Sequence, residues 1–171
     1  MQNHKVSVAF GKAVIKELDN TLKKVSEIMQ SNGCFGQVVN ARAIASERHI
    51  RQAVEQTVSA FGQGSNFSNR QEMELLIRLS GRKQVGKAVE ALGVKEGMQE
   101  IAVIAVGENG EKAVREIALL LKLEKTKHKP DAAFLKKAFG IPENELKLLK
   151  EREKALESAV LEKAALVELE D

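Results

Sequence analysis

The chain has 171 residues, with 27 Lys and Arg against 24 Asp and Glu and a net charge of +3. Its one cysteine, Cys34, excludes a disulfide framework and a cysteine-cluster metal site, and fits a reducing compartment. No run reaches the ~18 apolar residues of a membrane span and no secretory leader pattern opens the chain, so the expectation is one soluble, cytoplasmic domain over residues 1–171.

Val6, Val8 and Phe10 alternate with Ser7 and Ala9 in the period of a half-buried strand. Ile15, Leu18, Leu22, Val25 and Met29 recur every three or four residues, which predicts a helix stopping at Asn32-Gly33. Phe35 to Ala45 reads as a strand with β-branched residues at its centre. Ser46 is placed to cap the next helix, whose apolar stripe runs Ile50, Ala53, Val54, Thr57, Val58, Phe61. After a Gly/Ser/Asn loop, Ser68 and Gln71 have capping-box spacing and open a short helix through Met73, Leu76, Ile77 and Leu79.

Ser80-Gly81 breaks that helix, and another follows through Val85, Ala88, Val89 and Leu92, with Gly93 where a left-handed cap belongs. The unbroken run Ile101 to Val106 reads as a central strand buried on both faces. A helix from about Glu111 to Leu121 comes next, then a Lys-rich loop over 122–130 that is the one plausible linker. A short helix from Asp131 to Phe139 ends at Gly140. Pro142 opens another through Leu146, Leu149, Leu156 and Val160, and Ala164 to Leu169 either extends it or forms a closing strand. The fold class expected is α/β, a helix-rich single domain around a small mixed β-sheet.

The near-neutral charge hides a local asymmetry. From Leu75 to Val89 there are Arg78, Arg82, Lys83 and Lys87 and no acid, and a second basic run holds Lys122, Lys125, Lys127, Lys129, Lys136 and Lys137. Two such patches point to a modest anionic contact. The lack of Trp and Tyr, with six Phe, argues against an RRM-type stacking platform. His4, His49 and His128 have no metal-ligand spacing, and neither a phosphate-binding loop nor a Gly-x-Ser-x-Gly elbow is present. Cys34 fits a small buried hydrophobe better than a nucleophile. No catalytic residue, metal, cofactor or small-molecule substrate is expected.

Three stretches carry a resemblance. They are Val38-Val-Asn-Ala-Arg-Ala-Ile-Ala-Ser-Glu-Arg-His-Ile50, then Glu74-Leu-Leu-Ile-Arg-Leu-Ser-Gly-Arg-Lys-Gln-Val85 with Ala88-Val89 and Leu92-Gly93, and last Val160-Leu-Glu-Lys-Ala-Ala-Leu-Val-Glu-Leu169. The chain resembles the KEOPS (EKC) complex subunit that partners the complex's small atypical kinase, the PRPK-binding protein family. The second stretch is the specific one. Lys83 stands where the family has Arg and Val85 where it has Ile; the lysine keeps the charge but not the two-pronged phosphate contact.

The resemblance implies an archaeal-type, non-catalytic subunit of a complex that installs threonylcarbamoyl on the adenosine beside the anticodon of ANN-decoding tRNAs. Catalysis would belong to another subunit. This one would dock on the kinase subunit and hold the tRNA 3′ CCA end. The expected tRNA contacts are Arg78, Arg82, Lys83, Gln84 and Lys87 around the Ser80-Gly81 break, with helix N–H groups after Gly81 facing a phosphate and His49 stacking on a terminal nucleotide. The competing reading is a solvated face with scattered bases. Val89, Leu92 and Val94 are the expected kinase-facing residues, against the alternative that they are core. A protein-interaction module that regulates the kinase without RNA contact is the second functional reading.

Overall fold

In the computed structural model, which describes residues 4–143 and 152–169, Val6–Ile15 forms the ten-residue strand β1. It outruns the Val6-to-Phe10 alternation and takes in Ile15, which the helical spacing assigns to the next element. Ala13 and Ile15 are buried while Lys12 and Val14 are exposed, the pattern of a strand with one face in the core. Helix α1 therefore starts only at Leu18 (Leu18–Ser31).

β2 covers Phe35–Asn40, β3 Gly97–Val106 and β4 Glu124–Lys125. They form one sheet in the order β2-β3-β1-β4, with every neighbouring pair antiparallel. The helix-rich α/β class holds, and the correction is that these strands make an antiparallel sheet, not a mixed one. Residues Ile101 to Val106 are buried as expected, because β3 lies between β1 and β2. An apolar run reports that central position but not the direction of its neighbours. In β2 a Cβ on Gly36 would collide with the Ile104 carbonyl oxygen, which is why a glycine interrupts the strand.

Three further expectations change. The strand begun at Phe35 ends at Asn40, and Ala41–Ala43 is a single 3-10 turn. Gly93 is not a left-handed cap but makes a β-bridge with Val39. The Lys-rich loop is partly ordered by pairing: Glu124 and Lys125 lie opposite Lys12 and Gly11 of β1.

Two compact units result. The first, Met1–Ala41 with Gly93–His128, holds the whole sheet. One sheet face, carrying Ala13, Ile15, Val38, Ile101, Val103 and Ala105, packs with Val25 and Met29 of α1 and with Ala113, Ile117 and Leu121 of α5 (Gly110–Leu121). Each of the larger side chains contributes roughly 1.5–3 kcal/mol by leaving water.

The second unit, Arg42–Leu92 with Lys129–Asp171, is helical in its described residues. It holds α2 (Glu47–Gln63), α3 (Gln71–Ser80), α4 (Val85–Leu92), α6 (Ala132–Phe139) and α7 (Arg152–Ala165), the last followed by a 3-10 turn at Leu166–Leu169. Ser46 caps α2 as expected, its hydroxyl accepting from the His49 N–H at 3.3 Å. The Ser68 capping box does not form. Arg70 occupies the cap of α3, and Glu74 reaches back to accept from the Phe67 and Ser68 N–H groups at 2.9 and 2.8 Å. A second core gathers Ala45, Leu135, Phe139, Ile141, Leu156 and Val160. Of the helix expected after Pro142, Leu146 and Leu149 lie outside the described residues; the closing segment to Leu169 is helical, not a strand.

Candidate nucleic-acid interface

The Ser80-Gly81 junction is built by backbone chemistry. The Ser80 hydroxyl donates to the Ile77 carbonyl and accepts from the Arg82 N–H, both at 3.0 Å. Gly81 then turns the chain at φ 65°, and an added Cβ there would meet the Lys163 carbonyl oxygen at 3.2 Å and the Ala164 Cα at 3.3 Å. Only glycine suits both demands. Helix α4 begins at Val85 and not directly after Gly81, so the free helical N–H groups belong to Val85 and the residues following it.

Arg78 is not a surface residue. Its side chain is 0% exposed, Nε donates to Glu74 Oε1 at 2.9 Å, and Nη1 donates to Glu168 Oε1 at 2.6 Å. Nη2 lies 2.9 Å from Glu74 Oε1 but off the hydrogen-bonding direction, and the guanidinium faces the Phe67 ring at 4.9 Å. A guanidinium so enclosed is consumed by structure, and the expectation that it touches RNA is withdrawn.

His49 is also withdrawn. It is 0% exposed, its Nδ1 accepts from the Ala45 N–H at 3.1 Å, and its Nε2 lies 2.8 Å from the Leu79 carbonyl oxygen, which fixes the proton on Nε2. The ring meets Phe139 edge-on at 5.7 Å and has no face for a base. Burial lowers its pKa to about 4, against the smaller opposing pull of the Leu79 carbonyl.

Arg82, Lys83, Gln84 and Lys87 stand at or near the surface. The structure gathers Arg82 and Lys87 with Arg42 and Lys137 around a cleft of about 720 Å3 whose other lining groups include Glu90 and the Phe134 ring. Two of these cations are pre-set. Arg82 Nη2 donates to the Ala138 carbonyl at 2.8 Å, at the negative end of α6. Arg42 Nε donates to Asp131 Oδ2 at 2.8 Å, and its guanidinium lies over Phe134 at 4.7 Å. Asp131 in turn caps α6 by accepting from the Phe134 N–H at 3.0 Å. That bond first, and Arg42 second, hold its carboxyl below the usual range.

Four cations line it against Glu90 and the Asp131 carboxylate that pairs with Arg42, which leaves the concavity net positive and anion-attracting. Lys83 and Gln84 do not line it; the Lys83 ammonium sits 5.2 Å from the Phe67 ring. Sequence reasoning missed Arg42, Phe134 and Lys137. Arg42 stood within the resembling stretch and Lys137 within the second basic run, but nothing local brings them to Arg82.

Of the kinase-facing candidates, Leu92 (1% exposed) and Val94 (7%) are core, whereas Val89 is 45% exposed. Helix α4 buries Ala88 and Leu92, four residues apart, which turns Val89 outward. Elsewhere, burial raises the Cys34 pKa and its thiol sits 3.4 Å from the Asn32 carbonyl oxygen, so it is held as a thiol. Among the described residues no group of three His, Cys, Asp or Glu could hold a metal ion, and no helix is long and apolar enough to cross a membrane.

A model of the family described as kinase binding protein CGI-121 matches residues 12–168. The chain belongs to that family. The family expected from the Ser80-Gly81 stretch is thereby met. The chain is also 31% identical over 61 residues to the regulatory protein Cgi121 of the archaeon Methanocaldococcus jannaschii, a match covering 36% of this chain and 39% of that protein. The chain thus spans about two-fifths of the length of the curated relative it matches.

Proposed function

We propose that this chain is a non-catalytic accessory subunit of the KEOPS complex, binding the complex's kinase subunit and holding the 3′ CCA end of tRNA, in support of threonylcarbamoyladenosine modification in the cytoplasm. Membership of a kinase-binding family supports the protein partner. The observation that carries the RNA half is the cleft lined by Arg42, Arg82, Lys87 and Lys137 together with Phe134. An unpaired RNA terminus offers phosphates to the cations and base faces to one aromatic ring, the pairing by which single strands are held. Arg42 and Arg82 are already oriented by Asp131 and by the Ala138 carbonyl, so less side-chain freedom is lost on binding.

The test is a gel shift with intact tRNA and with tRNA lacking its CCA end. Intact tRNA binds more tightly, and Arg82→Glu/Lys87→Glu removes that advantage. Equal affinity for the two RNAs sinks the terminus reading. A second reading, a module that regulates the kinase without touching RNA, is favoured by the outward-facing Val89. It wins if neither tRNA binds at low salt while Val89→Asp weakens capture of the kinase.

A further inference from the structure

The lysine run that starts at Lys122 takes no part in the cleft around Arg82 up to Lys129, and it leads to a second concavity. In the unit that contains the sheet, a hollow of about 630 Å3 lies between the first turns of α1 and the end of α5. Lys16, Lys24 and Lys122 stand around it with Asn20 and Thr21, Glu17 is the single carboxylate among its lining residues, and Val14 and Leu120 add apolar surface. All three lysines are exposed, and among the described residues none is held in an ion pair.

Lys122 carries an independent mark. It is the one non-glycine residue at positive φ among those described (φ 51°, ψ 48°). It closes α5 as a left-handed cap, its N–H directed at the Ala118 and Leu119 carbonyls. Glycine is the default in that position because a Cβ there crowds the backbone. Lys122 thus sets a long cationic side chain where the usual glycine would supply none, and that side chain lines the hollow. Lys125 and Lys127 follow on a segment tied down by the Thr126 N–H, which donates to the Phe10 carbonyl at 3.1 Å, and by the His128 ring stacked on Phe10 at 4.3 Å. The ammonium groups are therefore carried on fixed backbone and not on a floating tail.

We propose that this hollow and the lysines leading from it are a second, sequence-independent RNA contact that takes backbone phosphates of the tRNA. Lysine suits that ligand, being a mobile point charge that gives affinity without geometry-specific readout. Thr21 supplies a neutral polar group to the same phosphate, while the Asn20 amide donates to Glu17 Oε2 at 3.3 Å and holds that one carboxylate. The inference rests on the RNA reading of the proposed function, but it concerns different residues and a different part of the RNA.

The test uses the full chain and measures the affinity for intact and for CCA-trimmed tRNA across a salt series. Trimmed tRNA retains binding through this site. The triple change Lys16→Ala/Lys24→Ala/Lys122→Gly weakens that binding at least tenfold at low salt and lowers the salt slope by roughly one for each phosphate that is no longer neutralised. Lys122→Gly alone separates function from structure: it weakens trimmed-tRNA binding while leaving the melting temperature equal or higher, since glycine relieves the cap. The inference is overturned if the triple variant binds trimmed tRNA like the parent, or if Lys122→Gly lowers stability with the salt slope unchanged. Trimmed tRNA that fails to bind the parent while intact tRNA binds also overturns it and leaves the terminus reading standing. If neither RNA binds the parent, the RNA reading itself falls.

Discussion

Helices α3 and α4 follow one another across a single glycine-centred turn, and both read in the sequence as short apolar helices, each carrying one base of the same basic stretch. The structure treats them oppositely. Residues Glu74 to Ser80 of α3 are buried without a break, a glutamate and an arginine included, and the helix packs against α2, α4 and α7. Helix α4 buries only Ala88 and Leu92 and leaves Lys87 and Val89 to solvent. Basic residues close together in a sequence therefore do not share a role. Arg78 sits one turn after Glu74, an internal partner that lets a charge go inside. Arg82 has no carboxylate within a turn after it and none but the already engaged Glu74 in the two turns before it, and it stays at the surface.

The largest way to break this comparison is to remove the inner arginine. Arg78→Ala leaves the fully buried Glu74 without its cation and costs about 3–5 kcal/mol, read as a fall in the urea midpoint. A loss below about 1 kcal/mol means that α3 is not a buried strut.

Next comes acid sensitivity, because the far end of α3 is held by His49 through the Leu79 carbonyl. The histidine takes up a proton near pH 6.5 when unfolded and near pH 4 when folded, so the unfolded chain binds more protons between those values. Stability is whole above pH 6.5 and falls as pH drops towards 4, by about 3 kcal/mol. Asp131 adds a later loss, below its unfolded value of 3.8, since its carboxyl is favoured as the anion in the fold. Urea midpoints between pH 7 and pH 4 check the first effect: His49→Gln starts lower and flattens that arm, and parallel profiles refute it.

The turn between the helices gives a smaller effect. Gly81→Ala must hold a Cβ at φ 65° and press it against the Lys163 carbonyl, which costs about 2 kcal/mol in thermal unfolding. Gly64→Ala is the control: its φ of 71° is similarly left-handed, but a Cβ there meets nothing within 4 Å, so the difference between the two variants isolates the crowding.

What the sequence made legible was local. The stripe of α2, its Ser46 cap, the break at Ser80-Gly81 and the α6 helix ending at Gly140 all depend on residues within a few turns of each other. The buried polar groups depend on partners far along the chain: His49 on a carbonyl 30 residues away and Arg78 on a carboxylate 90 residues away. The four-residue step from Glu74 to Arg78 was nonetheless present to be read as a self-paired ion. The cleft was the least legible feature. Arg42, Arg82 and Phe134 come from three separate segments, and no spacing rule joins them.

The smallest expected change sharpens the comparison most. Arg82→Ala lies four residues from Arg78 and removes the same side chain, yet among the described residues the exposed guanidinium holds only the Ala138 carbonyl. An exposed hydrogen bond of this kind contributes little beyond what water returns, so stability should move by no more than about 0.5 kcal/mol. If the urea midpoint falls as far as in Arg78→Ala, the two arginines are both struts and the cleft loses its reason to bind anything. If it stays still while affinity for intact tRNA drops, one arginine serves the fold and the other the ligand, across a turn that favours glycine.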